Sequence, residues 1–132
     1  MISYRTDPGG VAPDALSGFY EGWPSPPGLA RRLDVLKGSS HVVLAFDGER
    51  LVGFVTAVSD GALAAFIPLL EVLPGYRGQG IGSELVRRIL DALEGHYAID
   101  VVCDDDLVPF YERFGLERWT AMIRRDRRAL DR

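Results

Sequence analysis

The fold is decided by residues 63–93, LAAFIPLLEVLPGYRGQGIGSELVRRILDAL, where an apolar run leads through a glycine-rich segment into an amphipathic one. The apolar run ends at Pro74-Gly75. From Ile81 onward, apolar residues recur at four-residue steps, which is the periodicity of a helix with one buried face. The stretch therefore predicts a strand, a glycine loop and a helix in that order.

The glycine loop has the composition of an anion-binding site. Gly78, Gly80 and Gly82 alternate with other residues and have no Cβ atoms to keep a ligand away from the backbone. Their N–H groups can converge at the positive end of the helix dipole, where a phosphate or pyrophosphate binds favourably. A plain tight turn is an equally good interpretation of the loop taken alone.

Two familiar phosphate-binding loops do not fit this segment, and a third does. A P-loop needs a lysine after the glycines, but the chain's only lysine is Lys37. The dinucleotide fingerprint G-x-G-x-x-G fails because its sixth position, counted from Gly78, is Ser83. Residues 77–82, RGQGIG, match [Q/R]-x-x-G-x-[G/A], and residues 72–76, VLPGY, match V-x-P-x-[YF]. In these motifs the chain resembles the GNAT superfamily of N-acetyltransferases.

A second signature of that family follows the predicted helix. Residues 110–116 read FYERFGL, which resembles the aromatic-Tyr-x-x-x-Gly-[FL] segment of the superfamily. The two signatures stand in the family order, and the resemblance covers about residues 42–124. It implies a single acetyltransferase domain over residues 1–132, with acetyl-CoA as co-substrate.

The resemblance also implies which residues hold the coenzyme. Backbone groups of the strand end would bind the acetyl carbonyl and the pantetheine arm, and the loop would bind the pyrophosphate. Asp104 stands where many relatives have an asparagine that contacts pantetheine; it is equally suited to cap a helix. The expected binding residues are Val72, Leu73, Arg77, Gly78, Gln79, Gly80, Ile81, Gly82, Ser83 and Asp104.

Two residues are the candidates for catalysis. Tyr111 matches the family tyrosine that donates a proton to the coenzyme sulfur, although a tyrosine on an amphipathic helix is also a common core residue. Alternation along the strand aims Glu71 away from Leu70 and Val72, and burial would raise its pKa and make it a base for an ammonium substrate. Glu71 could instead anchor that ammonium, or form a structural ion pair with an arginine.

The remaining pattern predicts an α+β fold with a mixed sheet of six to seven strands and about four helices. Asp-Gly turns at residues 47–48 and 60–61 separate apolar runs and indicate an antiparallel N-terminal meander. Pro68 removes a hydrogen-bond donor from a central strand and indicates a bulge or splay there. We expect strands at residues 2–6, 41–46, 50–58, 63–73, 97–103 and 116–124, and helices at residues 12–23, 27–36, 81–95 and 107–114.

Composition limits the other classes of function. The chain has 132 residues, 47% of them hydrophobic, a net charge of −4 and one cysteine, Cys103, so disulfides and multi-cysteine metal sites are excluded within it. We expect a soluble cytoplasmic protein with no metal and no membrane contact, and we assign Cys103 to the core rather than to nucleophilic chemistry. The arginine-rich end has no interleaved aromatic residues, so we expect a solvated terminus rather than a nucleic-acid site.

These observations predict an acetyl-CoA-dependent N-acetyltransferase that acts on a primary amine of a small molecule or a peptide. A non-catalytic acyl-CoA-binding regulatory module is the alternative, because the base is the weakest assignment. An interaction protein that uses its arginine-rich tail is a third hypothesis. A homodimer is compatible with the exposed edge strands of such a sheet.

Overall fold

The computed structural model describes residues 1–132 and contains one five-stranded sheet in the order β1-β2-β3-β4-β5. The first four strands are β1 (Ile2–Arg5), β2 (His41–Asp47), β3 (Arg50–Ser59) and β4 (Ala64–Val72), and each pairs antiparallel with the next. The fifth, β5 (Ala98–Asp100), lies parallel to β4. The predicted N-terminal meander is therefore confirmed.

Both Asp-Gly pairs form the turns that the sequence predicts. Asp47 is paired with Arg50 across a tight hairpin in which Gly48 has a φ of +61°. The Asp60 carboxylate accepts hydrogen bonds from the N–H groups of Ala62, Leu63 and Ala64, at 2.8, 2.8 and 3.2 Å. Side-chain acceptors of this kind stabilise a turn by satisfying backbone donors that have no sheet partner.

The sheet opens beside Pro68. Strand β5 pairs with β4 only as far as Phe66, whose partner is Asp100, and beyond this point the edge of β4 has no neighbour on that side. On the other side of β4 the register with β3 shifts between Thr56 and Val58. Because proline cannot donate to a ladder, the bulge and the splay fall at the residue where pairing is weakest.

The structure has three α-helices, α1 (Leu29–Gly38), α2 (Ile81–Ala92) and α3 (Val108–Glu112), of which α2 packs on β2, β3 and β4. The buried face of α2 carries Ile81, Leu85, Val86 and Ile89, as its four-residue periodicity predicts. At β3 it approaches Gly53, where a Cβ atom would lie 3.2 Å from both a Leu85 methyl group and the Glu71 carbonyl oxygen. Glycine at this position therefore permits the close contact between helix and sheet.

The prediction of six to seven strands is wrong at the C-terminal end. Residues 116–124 run without strand pairing, and the predicted strand at residues 97–103 is limited to Ala98–Asp100. Their apolar side chains favour β structure, but a strand exists only where a neighbour accepts its hydrogen bonds, and here none does.

The helix predicted at residues 12–23 is also wrong, and the total of about four helices becomes three. Only a 3₁₀ turn, Pro13–Leu16, forms there. Gly18, Tyr20 and Gly22 have φ values of +87°, +65° and +82°, which are left-handed conformations that a right-handed helix cannot include. Three further 3₁₀ turns are found at Pro74–Tyr76, Asp105–Leu107 and Arg127–Asp131.

The helices are also short in relation to a bilayer. None of them has both the length and the apolar character needed to cross a membrane.

Candidate active site

The glycine loop ends in an uncapped helix N-terminus. Gly78 and Gly80 have φ values of +78° and +85°, and Gly80 is the N-cap of α2 without any side-chain hydrogen bond. The first helical bond runs from the Glu84 N–H to the Gly80 carbonyl oxygen, at 3.1 Å. The N–H groups of residues 78–83 have no acceptor in the protein, so they are available to a ligand.

The second signature packs directly against this loop. The Arg113 guanidinium donates a 2.7 Å hydrogen bond to Ser83 Oγ. A Cβ atom on Gly82 would lie 4.0 Å from the end of the Phe110 ring, so α3 rests on the first turn of α2. The glycine loop and residues 110–116, which a helix and a strand separate in sequence, are therefore in contact at the N-terminus of α2.

Tyr111 is buried beside this contact between α3 and α2. Its side chain is 8% exposed, its ring contacts Phe110 edge to face at 5.0 Å, and its hydroxyl forms no hydrogen bond within the protein. Burial, with a smaller contribution from the nearby Cys103, raises the pKa of Tyr111 to about 12. The phenol therefore keeps its proton at neutral pH and is a hydrogen-bond donor without a partner.

Glu71 is partly buried on the face of β4 that points away from α2. Its Oε1 accepts a 2.7 Å hydrogen bond from the backbone N–H of Tyr20, and its Oε2 is buried without a partner. Burial raises the pKa of Glu71, while the Tyr20 N–H and the more distant Arg32 and Arg77 act in the other direction. Glu71 makes no ion pair, so the structural ion-pair interpretation is not realised.

The end of β4 offers one backbone donor to the splayed edge. The Leu73 N–H donates a 2.9 Å hydrogen bond to the Val52 carbonyl oxygen, so this amide is engaged in the sheet. Since successive N–H groups of a strand point to opposite sides, the Val72 N–H points toward the side that β5 has left. The Val72 N–H thus faces the open side of β4, whereas the Leu73 N–H faces β3.

Three of the other expected binding residues point elsewhere or make no contact. The Arg77 guanidinium turns back to the Val72 carbonyl oxygen, at 3.1 Å, and pairs with Glu21 at 3.4 Å. Gln79 is exposed. Asp104 holds the N-cap position of the 3₁₀ turn Asp105–Leu107, but its side chain makes no capping hydrogen bond.

Sequence reasoning missed two residues at the site. Arg113 stands two residues after Tyr111, inside the second signature, and only its contact with Ser83 places it beside the loop. Tyr20 is the one non-glycine residue with a positive φ, and that conformation aims its N–H at Glu71. The only signal in the sequence was the nearby spacing of Gly18 and Gly22.

The splayed edge opens into a cavity of about 1790 Å³. Phe66, Pro68 and Leu69 of β4 line it, together with Trp23 from the segment between the 3₁₀ turn Pro13–Leu16 and α1. Tyr20 in the same segment is buried, whereas Trp23 is 36% exposed and faces the cavity.

Comparisons with known proteins agree on the family. Residues 10–116 match the acetyltransferase (GNAT) family. A candidate acetyltransferase of Deinococcus radiodurans R1 superimposes with a TM-score of 0.90 at 50% identity, covering 94% of this chain and 87% of that one. A GNAT-family acetyltransferase of Streptococcus pneumoniae TIGR4 superimposes with a TM-score of 0.79 at 29% identity, covering 96% and 99%.

Two acetyltransferases that are similar to this chain in sequence are longer than it. Histone acetyltransferase TAP1 of Glycine max is 33% identical over 109 residues, which are 73% of this chain and 47% of that protein. N-alpha-acetyltransferase 30 of Schizosaccharomyces pombe is 30% identical over 90 residues, 61% of this chain and 60% of that protein. The chain thus spans about half the length of these relatives, and on the match over residues 10–116 it belongs to the GNAT family of acetyltransferases.

Proposed function

We propose that the protein transfers an acetyl group from acetyl-CoA to a primary amine of a small molecule or peptide, by direct attack in a ternary complex. The observation that carries this proposal is the run of free N–H groups at residues 78–83, at an uncapped helix N-terminus. Such donors bind a pyrophosphate through short hydrogen bonds and the helix dipole. The guanidinium of Arg113, 2.7 Å from Ser83 Oγ, adds a positive charge beside them.

The two candidate catalytic side chains approach β4 from opposite sides. The Val72 side chain faces Gly82 of α2, where a Cβ atom would lie 3.9 Å from it, so Glu71 faces the other way, toward Tyr20. Tyr111 lies on the α2 side with Phe110. This arrangement supports direct transfer, because the amine and the thioester can reach the splayed edge from different faces without an enzyme-bound acetyl group.

Glu71 is proposed to hold the proton that the amine loses. The attacking nitrogen forms a bond to the thioester carbon, the carbon–sulfur bond breaks, and the ammonium proton passes to the Glu71 carboxylate directly or through water. A buried carboxylate with a raised pKa accepts that proton more readily than an exposed one. The same charge would also attract the ammonium form of the substrate, and the structure is compatible with both roles.

Tyr111 is proposed to donate a hydrogen bond to the departing sulfur. With a pKa of about 12, full proton transfer to a thiolate whose acid has a pKa near 8.5 is uphill by about 5 kcal/mol. The sequence predicts that Tyr111 donates its proton. We propose instead that Tyr111 keeps the proton and stabilises the thiolate by a hydrogen bond. The Val72 N–H would polarise the acetyl carbonyl from the sheet edge.

Calorimetric titration with acetyl-CoA tests the loop. Gly80→Glu places a carboxylate at the N-cap of α2 and a side chain in a left-handed position that is strained by about 1–2 kcal/mol. Gly61→Glu is the matched control, because Gly61 has a φ of +77° and open space around it, but lies in the β3–β4 turn. We expect binding to be lost only in Gly80→Glu.

Two results would count against the proposal. Equal binding by the two variants would show that the loop does not hold the coenzyme. Binding without turnover across a broad panel of amines would favour a non-catalytic acyl-CoA-binding module.

A further inference from the structure

The cavity at the splayed edge has one section without charged side chains. Residues 23–69 supply this section, which we name the apolar section. Its members are Trp23, Pro24, Val35, Phe66, Pro68 and Leu69. The charged side chains of the lining all come from residues 100–127. The cavity therefore offers a ligand two surroundings of different polarity.

The apolar section leads to Glu71 along two parts of the chain. On β4, Leu69 and Glu71 are two residues apart, so their side chains point to the same face, about 6–7 Å apart along the strand. Before α1, the Trp23 ring packs edge to face on the Tyr20 ring, with 4.9 Å between their centroids. The Tyr20 N–H in turn donates the 2.7 Å hydrogen bond to Glu71. The carboxylate therefore lies just beyond the apolar section.

Two aromatic rings of the apolar section are available to a ligand. Trp23 and Phe66 are each 36% exposed, whereas Tyr20, on which Trp23 packs, is 2% exposed. Aromatic rings bury a large apolar area when another ring packs on them, and the pair gains a further contribution from its edge-to-face or offset geometry. A ligand that carries a ring would therefore gain more from this section than a ligand that carries polar groups.

The charges near the apolar section favour a ligand with a single cation. Glu71 has no ion-pair partner, and the neighbouring Glu21 is already paired with Arg77 at 3.4 Å. The Arg32 guanidinium lies 5.0 Å over the Tyr20 ring, on the same side as Glu71. A second ammonium group would lie against uncharged side chains, where nothing replaces its hydration. Polyamines and aminoglycosides are therefore disfavoured.

We propose that the acceptor is a monoamine whose ammonium group is joined to an apolar ring by a linker of about two or three carbon atoms, the length that spans Leu69 to Glu71. Trp23, Phe66 and Leu69 bind the ring and determine specificity, while Glu71 receives the ammonium group. This assignment rests on the acetyl transfer proposed above.

Steady-state acetyl transfer to phenethylamine, ethanolamine and spermidine tests the class of acceptor. We expect kcat/KM for phenethylamine to exceed that for ethanolamine about 10- to 100-fold, because only the ring buries apolar area in the cavity. Spermidine should be no better than ethanolamine, although it carries more positive charge. Equal values for phenethylamine and ethanolamine, or the highest value for spermidine, would overturn the proposal.

Alanine substitutions test the residues that bind the ring. Trp23→Ala and Phe66→Ala should each lower the ratio of kcat/KM between phenethylamine and ethanolamine about fivefold to tenfold. Leu63→Ala is the control, because Leu63 is 62% exposed in the β3–β4 turn and does not line the cavity. A purely structural role of Trp23 would lower turnover of both amines by the same factor. An unchanged ratio in both cavity variants would therefore overturn the assignment.

Tryptophan fluorescence separates this inference from the acetyl transfer. The chain has two tryptophans, Trp23 and Trp119, so a Trp119→Phe variant reports on Trp23 alone. We expect phenethylamine, and not ethanolamine, to change the emission of this variant in a saturable way. Such a change without any turnover would support the ring-binding section and refute the acetyl transfer. Turnover of amines without a response of Trp23 would refute the ring-binding section and leave the acetyl transfer intact.

Discussion

Replacement of Glu71 by glutamine separates its catalytic contribution from its effect on stability. In the wild type, Oε1 accepts the Tyr20 N–H at 2.7 Å, while Oε2 is buried without a partner. Glutamine keeps an acceptor oxygen for Tyr20 and removes the buried charge. A buried polar group without a hydrogen bond is unfavourable by about 1–3 kcal/mol, and more when it is charged. We therefore expect Glu71→Gln to be about 1–2 kcal/mol more stable than the wild type at pH 8.

The stability difference should depend on pH in one direction only. Burial raises the pKa of Glu71 above its ordinary value of 4.5, so the folded protein binds the proton more tightly than the unfolded chain. The stabilising effect of the protonated form is fully present below about pH 4.5 and is lost as the pH rises through the folded-state pKa. The advantage of Glu71→Gln should therefore be small at pH 4 and increase toward pH 8.

Urea unfolding at several pH values measures this difference, with Glu21→Gln as a control. Glu21 is 61% exposed at the side chain and pairs with Arg77 on the surface, so its replacement should change stability by less than about 0.5 kcal/mol. A Glu71→Gln variant that is less stable than the wild type at pH 8 would refute the account of an unpaired buried carboxylate. A difference in the free energy of unfolding that is the same at every pH would refute it as well.

The kinetics of the same variant distinguish the two roles of Glu71. Loss of a general base lowers kcat about 10²–10⁴-fold, with the acceptor KM little changed. Loss of an ammonium anchor raises KM with kcat little changed. In both cases the wild-type activity should fall on the acid side at a pH above 4.5, because only the ionised carboxylate acts.

Two further substitutions test the role of Tyr111 and the packing of α2 against β3. Tyr111→Phe removes one hydrogen bond to a charged sulfur, worth about 1.5–3 kcal/mol, so kcat should fall about 10- to 100-fold in steady-state assays while acetyl-CoA affinity is retained; equal loss of both would indicate a structural tyrosine. Gly53→Ala places a Cβ atom 3.2 Å from the Glu71 carbonyl oxygen and Leu85, and should reduce the free energy of unfolding by about 1–3 kcal/mol in urea titration. An unchanged midpoint would show that α2 can shift away from β3 without loss.

The sequence predicted those parts of the fold in which local chemistry and long-range pairing agree. Asp47-Gly48 and Asp60-Gly61 both form turns, and the apolar runs between them found partners in each other. Pro68 correctly predicted where the sheet opens, because proline has no N–H group to donate to either neighbouring strand. Residues 116–124 had equal β propensity, but no strand of the same chain lies against them, so propensity alone gave the wrong result.

The position of Glu71 followed from strand alternation, but its environment could not. The partner of its Oε1 is the backbone N–H of Tyr20, 51 residues earlier in the chain, and no side-chain pattern encodes a backbone contact at that distance. The contact requires Tyr20 at a φ of +65°, a conformation that is unfavourable by about 1–2 kcal/mol for a residue other than glycine. The Arg32 guanidinium stabilises the strained turn by donating to the carbonyl oxygens of Leu16 and Phe19, at 2.9 and 3.2 Å, and lies 5.0 Å over the Tyr20 ring. Backbone strain persists only where surrounding contacts impose it, so the Arg32 contacts account for the turn that fixes one carboxylate oxygen of Glu71 and leaves the other without a partner.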